Sequence, residues 1–282
     1  LEIGKVLFKK FIKIGEVICP LKEIVVEKDN LGTRIKRYEN VSRIYLTRRT
    51  PVMIRVDGRA FHTYARGFDK PFDRILIRAM VYAANKVAKD MQGFKIAYIQ
   101  SDEATFVITD YDDINTGAWF DYNLSKMVSQ AAAVMSVYFN YFMNLFTEYD
   151  HDKLNGKLAI FDARAFNIPE GEVANAILWR VKDWERNSLQ MYYRSVFSHK
   201  DLHKKNHEAM NKMLDEKGLS WEKDLQNNEK HGTFITNETD NESVIDMHYI
   251  TTSSYVSTYG QVQDLFSECM NRSFEKKERN NE

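Results

Sequence analysis

Between Pro51 and Ile168 the apolar residues change period in a fixed order, and that order constrains the fold more than any single motif. Val52, Ile54 and Val56 alternate with Met53 and Arg55, a period of two that predicts a strand. Continued alternation puts Asp57 on the side of Arg55, away from the Val/Ile face. Asp73 stands where a helix N-cap belongs, and Ile77, Met80, Val81, Ala84 and Val87 follow at core spacing to about Met91, with Gly93 closing the helix. Lys95–Thr109 carries two apolar runs around Ser101-Asp102-Glu103, a hairpin whose turn lacks the usual Asn-Gly pair. Trp119–Phe146 predicts a long helix and Lys157–Ile168 a further strand. Strand, helix, strand, strand, helix, strand is the βαββαβ order of a ferredoxin-like antiparallel sheet in an α+β fold.

Long helices follow the sheet. Glu170–Phe197 predicts one, with Pro169 just before it, and His199–Lys217 a second, closed by Gly218. Upstream, Arg34–Tyr38 predicts a basic helical lead-in. From Asn237 the chain turns polar and reads as a loosely attached appendage, with a strand at Val244–Ile250 as its one regular element and a charged end at Glu275–Glu282. The expected division is an N-terminal extension over 1–30, a palm-type catalytic domain over 31–168, a helical region over 169–236 and a polar extension over 237–282.

The chemistry concentrates in two distant stretches, PVMIRVDGR (51–59) and QSDE (100–103). As neighbouring strands they bring Asp57 and Asp102 or Glu103 to one sheet end. Asp102 and Glu103 face opposite sides if both are extended, so one of them shares the side of Asp57. Carboxylates with a backbone carbonyl are the ligands Mg²⁺ prefers, and Mg²⁺ usually arrives with phosphates. Gly58 lets the backbone turn so that its carbonyl joins the set. Asp-Gly is equally a common turn, and the residues alone leave that alternative open.

A formal charge of zero excludes nucleic-acid binding by bulk charge, so any such surface needs local segregation. Two cysteines are too few for a disulfide framework or a cysteine metal site, which fits an intracellular, cytoplasmic compartment. No apolar run approaches the roughly 20 residues of a membrane span. The N-terminal LEIGKVLFKKFIKIGEVI scatters lysines through apolar positions, lacks the apolar centre of a secretory signal, and is a helix or a strand of unassigned role.

Six stretches in order carry a family resemblance: LGTRIKRYE (31–39), RVDGRAFHTYARGFDKPFD (55–73), AYIQSDE (97–103), SKMVSQAA (125–132), FDAR (161–164) and RNSLQMYYRSVFSHKDLH (186–203). With them the chain resembles the tRNA-His guanylyltransferase superfamily, polymerases that extend RNA in the 3′-to-5′ direction. The resemblance implies a palm with two Mg²⁺ ions, held by Asp57, the Gly58 carbonyl and Asp102, with Glu103 in a supporting acidic and catalytic position. It implies a nucleotide-binding loop at Arg59, Phe61 and His62, and a triphosphate contact at Lys70. Ser125 and Lys126 match a further nucleotide-binding element, although the arginine that family members often carry three residues before this lysine is here Asn123. Asp162 and Arg164 either brace the sheet as an ion pair or touch ligand.

One departure bears on the substrate. Eukaryotic members that add a single G to tRNA-His carry HINNLYN where this chain has Asn187 and Leu189 within WERNSLQMY. The RNSL form is similar to the bacterial-type, guanylyltransferase-like members, which imply template-directed repair of tRNA 5′ ends after activation with ATP or GTP. Arg180, Arg186, Asn187, Arg194, Lys200, Lys204 and Lys205 on the late helices form the expected RNA-binding face. His199, His203 and His207 sit four apart, a stripe that is a polar face or a metal site. The resemblance also implies a homo-oligomer, typically a tetramer. The competing readings are a nucleotide cyclase, on the acidic hairpin turn, and a noncatalytic RNA-binding protein that kept the fold.

Overall fold

The structure, a computed structural model, describes residues 11–14, 17–20, 30–146, 154, 156–239, 247–251 and 259–279. The chain divides into two compact units, Leu1–Arg43 and Ile44–Glu282. In the first, strands β1 (Phe11–Ile14) and β2 (Val17–Pro20) pair as an antiparallel hairpin. Helix α1 (Leu31–Val41) follows, and the Asn30 side chain accepts from the Thr33 N–H at 2.8 Å to cap it. The N-terminal alternative of helix or strand thus resolves to strand at 11–14 and 17–20, while 1–10 lies outside the described residues.

The second unit is built on β3 (Val52–Gly58), the short helix α2 (Phe61–Tyr64), α3 (Arg74–Asp90), β4 (Phe94–Gln100), β5 (Glu103–Ile108), α4 (Leu124–Phe146) and β6 (Phe161–Asn167). This is the βαββαβ order, and its sheet is antiparallel throughout. Asp73 caps α3 by accepting from the Ile75 and Leu76 N–H groups. Then come α5 (Glu170–Val196), α6 (His199–Leu202), α7 (His207–Glu216), α8 (Trp221–Asp224), α9 (Asn227–His231), β7 (Thr233–Thr239), β8 (Met247–Thr251) and α10 (Tyr259–Arg279). The sheet order is β6-β3-β5-β4-β7-β8.

Alternation along the strands makes two cores. Val52, Ile54, Val56, Phe106 and Ile108 point to one face, where Met80, Ala83 and Val87 of α3 and Met127, Ala131, Met135 and Phe139 of α4 bury them. Met53, Ile96, Tyr98, Val107 and Phe234 point to the other, against Val173, Ala174, Ile177 and Val181 of α5 and Val262, Phe266 and Cys269 of α10. Burying a large apolar side chain contributes roughly 1.5–3 kcal/mol, so both layers of helices hold the sheet.

Four expectations are corrected. The C-terminal stretch is no loose appendage, since β8 pairs with β7 at the edge of the sheet and α10 buries Val262 and Phe266 on it. For the same reason residues 169–236 are not a separate helical region: α5 is a layer of the sheet and β7 begins at Thr233. The helix from Trp119 is broken, because Phe120, Asp121 and Tyr122 all take left-handed φ values (52–56°) before α4 starts at Leu124. Likewise His199–Lys217 splits at Lys204, φ 60°, where Asn206 caps a new helix. That split puts His199 and His207 on different helices and dissolves the histidine stripe. The charged end beyond Arg279 lies outside the described residues.

Candidate active site

Antiparallel register assembles the acidic cluster. Asp57, at the end of β3, stands opposite Glu103 on one side and Asp162 on the other. Paired residues share a sheet face, so three carboxylates form a row there. Glu103 is therefore the residue that shares the side of Asp57, and Asp102 occupies the two-residue turn with Ser101, whose φ is 49°. The Gly58 N–H donates to the Asp102 carbonyl at 3.0 Å, fastening the turn to β3. A Cβ on Gly58 would lie 3.0 Å from an Asp102 carboxylate oxygen and 2.6 Å from the Phe61 ring. Position 58 requires glycine for that close approach.

Burial raises the Asp57 carboxyl above the ordinary aspartate range, and the charges of Glu103 and Asp162 raise it further. Burial also pushes Asp102 up to about 6, and Asp57 adds to that shift. Two half-buried carboxylates, each raised by burial and by neighbouring carboxylates, beside a glycine cradle fit a divalent cation, which would supply counter-charge. Among the described residues no group of three or more His, Cys, Asp or Glu side chains fit to hold a metal occurs. A cation held by these two carboxylates would take its further ligands from a carbonyl, such as that of Gly58, and from phosphate or water oxygens.

Glu103, expected in a supporting position, is held by arginines. Arg180 of α5 closes on both its oxygens, Nε to Oε1 at 2.7 Å and one terminal nitrogen to Oε2 at 2.8 Å. Arg55 approaches the same carboxylate at 3.6 Å. Both oxygens are therefore engaged by arginine rather than presented to a metal, and Arg180, 11% exposed, is turned into the fold rather than toward RNA. The sequence carries no local signal for this pair, which joins residues 77 apart.

The loop after β3 lies beside the turn. Arg59 is exposed and its N–H donates to the Ile160 carbonyl at 2.8 Å. Phe61 anchors the loop against Tyr64, Phe139 and Phe161, with ring centroids 5.1–6.1 Å apart. Lys157, which no sequence motif singles out, donates to the Arg66 carbonyl at 2.8 Å and steadies the loop from the other side. His62 and Lys70 line a cavity of about 340 Å³ with Phe72, Met80, Gln100 and Trp184. Gln100 and Ser101 of the lining lead directly into Asp102, so the wall of the cavity adjoins the acidic turn.

Ser125 and Lys126 are not brought to this end. Asn123, standing where the family arginine is expected, accepts from the Ser125 hydroxyl and the Lys126 N–H and caps α4. The middle of the helix reaches the site: Ser136 accepts from the Phe161 N–H, and Phe139 meets Phe61. At 1.5 Å per residue, Lys126 lies about 20 Å along the axis from Phe139. Asp162 and Arg164 are exposed and 3.8 Å apart, a loose pair that braces little. Of the expected RNA face, Arg194, Lys200, Lys204 and Lys205 are exposed, while Arg186 and Asn187 are both tied to Asp183.

Comparison with known proteins decides the family. Residues 32–169 match the family described as tRNAHis guanylyltransferase. A bacterial tRNA(His) guanylyltransferase-like protein solved in complex with ATP superposes with a TM-score of 0.74 at 36% identity, covering 84% of this chain and 99% of that one. The chain belongs to the tRNA(His) guanylyltransferase family. It is a tRNA guanylyltransferase-like nucleotidyltransferase. The bacterial protein in complex with GTP superposes with a TM-score of 0.68 at 33% identity and the same coverage. The tRNA(His) guanylyltransferase of Schizosaccharomyces pombe is 30% identical over 55% of this chain and 56% of its own. The chain spans about half the length of the curated tRNA(His) guanylyltransferases it matches.

Proposed function

We propose that the chain is a template-dependent 3′-to-5′ nucleotidyltransferase that repairs the 5′ end of truncated tRNA. The observation that carries this reading is the pair Asp57 and Asp102, held at one sheet end around Gly58, with the wall of a nucleotide-sized cavity running into the same turn. Similarity over nearly the whole bacterial protein, solved with ATP and with GTP, supports ATP or GTP as activating nucleotide and nucleoside triphosphates as substrates.

Asp57, Asp102 and the Gly58 carbonyl would hold two Mg²⁺ ions, which supply charge for the transferring phosphoryl group and lower the pKa of the attacking hydroxyl. The chain's own residues bind and orient. The cavity takes the base of the activating nucleotide, and His62, Lys70 and Arg59 contact its phosphates. In the first step a tRNA 5′-phosphate oxygen displaces pyrophosphate from the triphosphate. In the second, the 3′-hydroxyl of the incoming nucleotide forms a bond to the activated 5′ phosphorus and the nucleoside monophosphate leaves. Arg180 holds Glu103, and with it the register of Asp57. Arg194, Lys200, Lys204 and Lys205 meet the tRNA backbone. Their distance from the carboxylates gives Ser125 and Lys126 a role toward the tRNA body or a neighbouring subunit of a homo-oligomer, a tetramer. With tRNA as partner, the working compartment is the cytoplasm.

Labelled-nucleotide incorporation onto a tRNA lacking its first 5′ nucleotide tests the reading, with full-length tRNA-His and an Asp57→Ala, Asp102→Ala chain alongside. Template-matched, Mg²⁺-dependent addition to the truncated tRNA is expected. Addition only to full-length tRNA-His would replace repair by single-G addition.

A further inference from the structure

We propose that Trp179 is a nucleobase-stacking platform beside the catalytic turn. It takes the base of a nucleotide whose phosphate reaches Asp57 and Asp102, and so rests on the nucleotidyl-transfer reading above. Trp179 is 58% exposed on α5, although Trp184 on the same helix is buried. The exposed ring is nevertheless fixed in place. The Arg55 guanidinium lies over it at 5.6 Å and that of Arg180 at 4.8 Å. Both arginines are the ones that hold Glu103, the cross-strand neighbour of Asp57. Arg55 precedes Asp57 by two residues on the same face, about 7 Å along the strand. The indole and the carboxylates therefore lie within the span of one nucleotide. Arg164, opposite Arg55 on β6 and 57% exposed, adds a cation to the same face.

The chemistry suits an enzyme whose nucleotide choice is made by base pairing. Such a site must grip any of the bases without reading it, so hydrogen-bonding side chains on the base edge would work against the template. A flat aromatic ring grips every base through its π-face and is indifferent to its edge. Two sources present that chemistry, the free nucleoside triphosphate and the terminal nucleotide of the tRNA.

Equilibrium binding without turnover separates them. Ribose-labelled fluorescent GTP and UTP form one arm, and a 3′-labelled tRNA lacking its first nucleotide forms the other, all with Mg²⁺. Trp179→Ala is expected to weaken one arm by roughly tenfold or more and Trp179→Phe by no more than about threefold. Loss in the triphosphate arm, similar for purine and pyrimidine, assigns the platform to the incoming nucleotide; loss in the tRNA arm assigns it to the 5′ end. Unchanged Kd in both arms for Trp179→Ala would overturn the proposal. So would equal loss with Trp179→Phe, or a loss that merely follows a change of oligomeric state in light scattering. Absence of nucleotide addition by the unsubstituted chain would sink the nucleotidyl-transfer reading and leave these binding arms to be read on their own.

Discussion

Arg180 grips both oxygens of Glu103, at 2.7 and 2.8 Å, and so ties the middle of a covering helix to the strand position next to Asp57. Both side chains are nearly buried. Removing one partner of such a pair leaves an uncompensated charge inside, at a cost of about 3 kcal/mol or more. Arg180→Ala is therefore expected to lower thermal stability by several degrees and to abolish nucleotide addition. Arg180→Lys restores stability only in part, because an ammonium cannot make the two-pronged contact. A double-mutant cycle with Glu103→Gln checks the assignment: the penalty of Arg180→Ala shrinks once the carboxylate is gone.

Gly58→Ala places a methyl 3.0 Å from the Asp102 carboxylate and 2.6 Å from the Phe61 ring. The expected outcome is displacement of Asp102 and loss of addition by at least about tenfold, the scale on which misplaced catalytic groups act. The far-UV spectrum stays that of the parent. Addition rate against Mg²⁺ concentration reads the result, and a wild-type rate would show that Asp102 is not held where the site needs it.

The raised carboxyl of Asp102 has a consequence for the metal-free protein. Its pKa is about 6 when folded, against 3.8 ordinarily, so the folded chain keeps a proton that the unfolded chain has released between those values. Stability from this group is fully present below about pH 4 and is lost as pH rises through about 6. Asp102→Asn cannot release a proton there. Melting temperatures without metal should therefore move in favour of the variant as pH rises from about 4 to 7. Adding Mg²⁺ at neutral pH should raise the melting temperature of the wild type more than that of the variant.

Asn123 accepts from the Lys126 N–H at 3.1 Å and from the Ser125 hydroxyl at 2.8 Å, both in the first turn of α4. Replacing such a cap by alanine costs about 1 kcal/mol. Asn123→Ala is expected to lower stability by about that amount in urea unfolding without changing the rate of nucleotide addition at saturating substrate.

Lys200, Lys204 and Lys205 are exposed on the segment after α5. Replacing any one that neutralises a phosphate with alanine should lower the slope of log K against log salt for tRNA binding by about 1. Slopes measured for the single variants decide which of them touch RNA, and an unchanged slope removes that residue from the face.

The sheet was legible in the sequence because alternation is local. Val52 to Asp57 could be placed on faces from their neighbours alone, and Asp73 announced its helix by its own side chain. The acidic turn was legible for the same reason. What escaped depends on partners far along the chain. Nothing near Glu103 shows that Arg180 will take both its oxygens. The left-handed run at Phe120–Tyr122 has no glycine to signal it, so a continuous helix was the reasonable expectation. Ser125 and Lys126 resemble a phosphate site in type, but only the direction of α4 shows which end of the sheet they occupy. β7 was hidden because Thr233–Thr236 is too short an alternating run to stand out beside helices.

That strand has a bearing on how the site comes into being. β4, which carries the hairpin into Asp102, is paired with β5 almost at once in sequence but with β7 only some 137 residues later, as in Ile96 with Thr236 and Ile99 with Thr233. During synthesis the carboxylates can gather while most of the chain is still unmade, but their supporting strand keeps an open edge until residue 236 has emerged. Completion of the site is thus a late event of biosynthesis, and an abbreviated product ending before Thr233 would carry the acidic turn on an unsealed edge, prone to pairing with other chains.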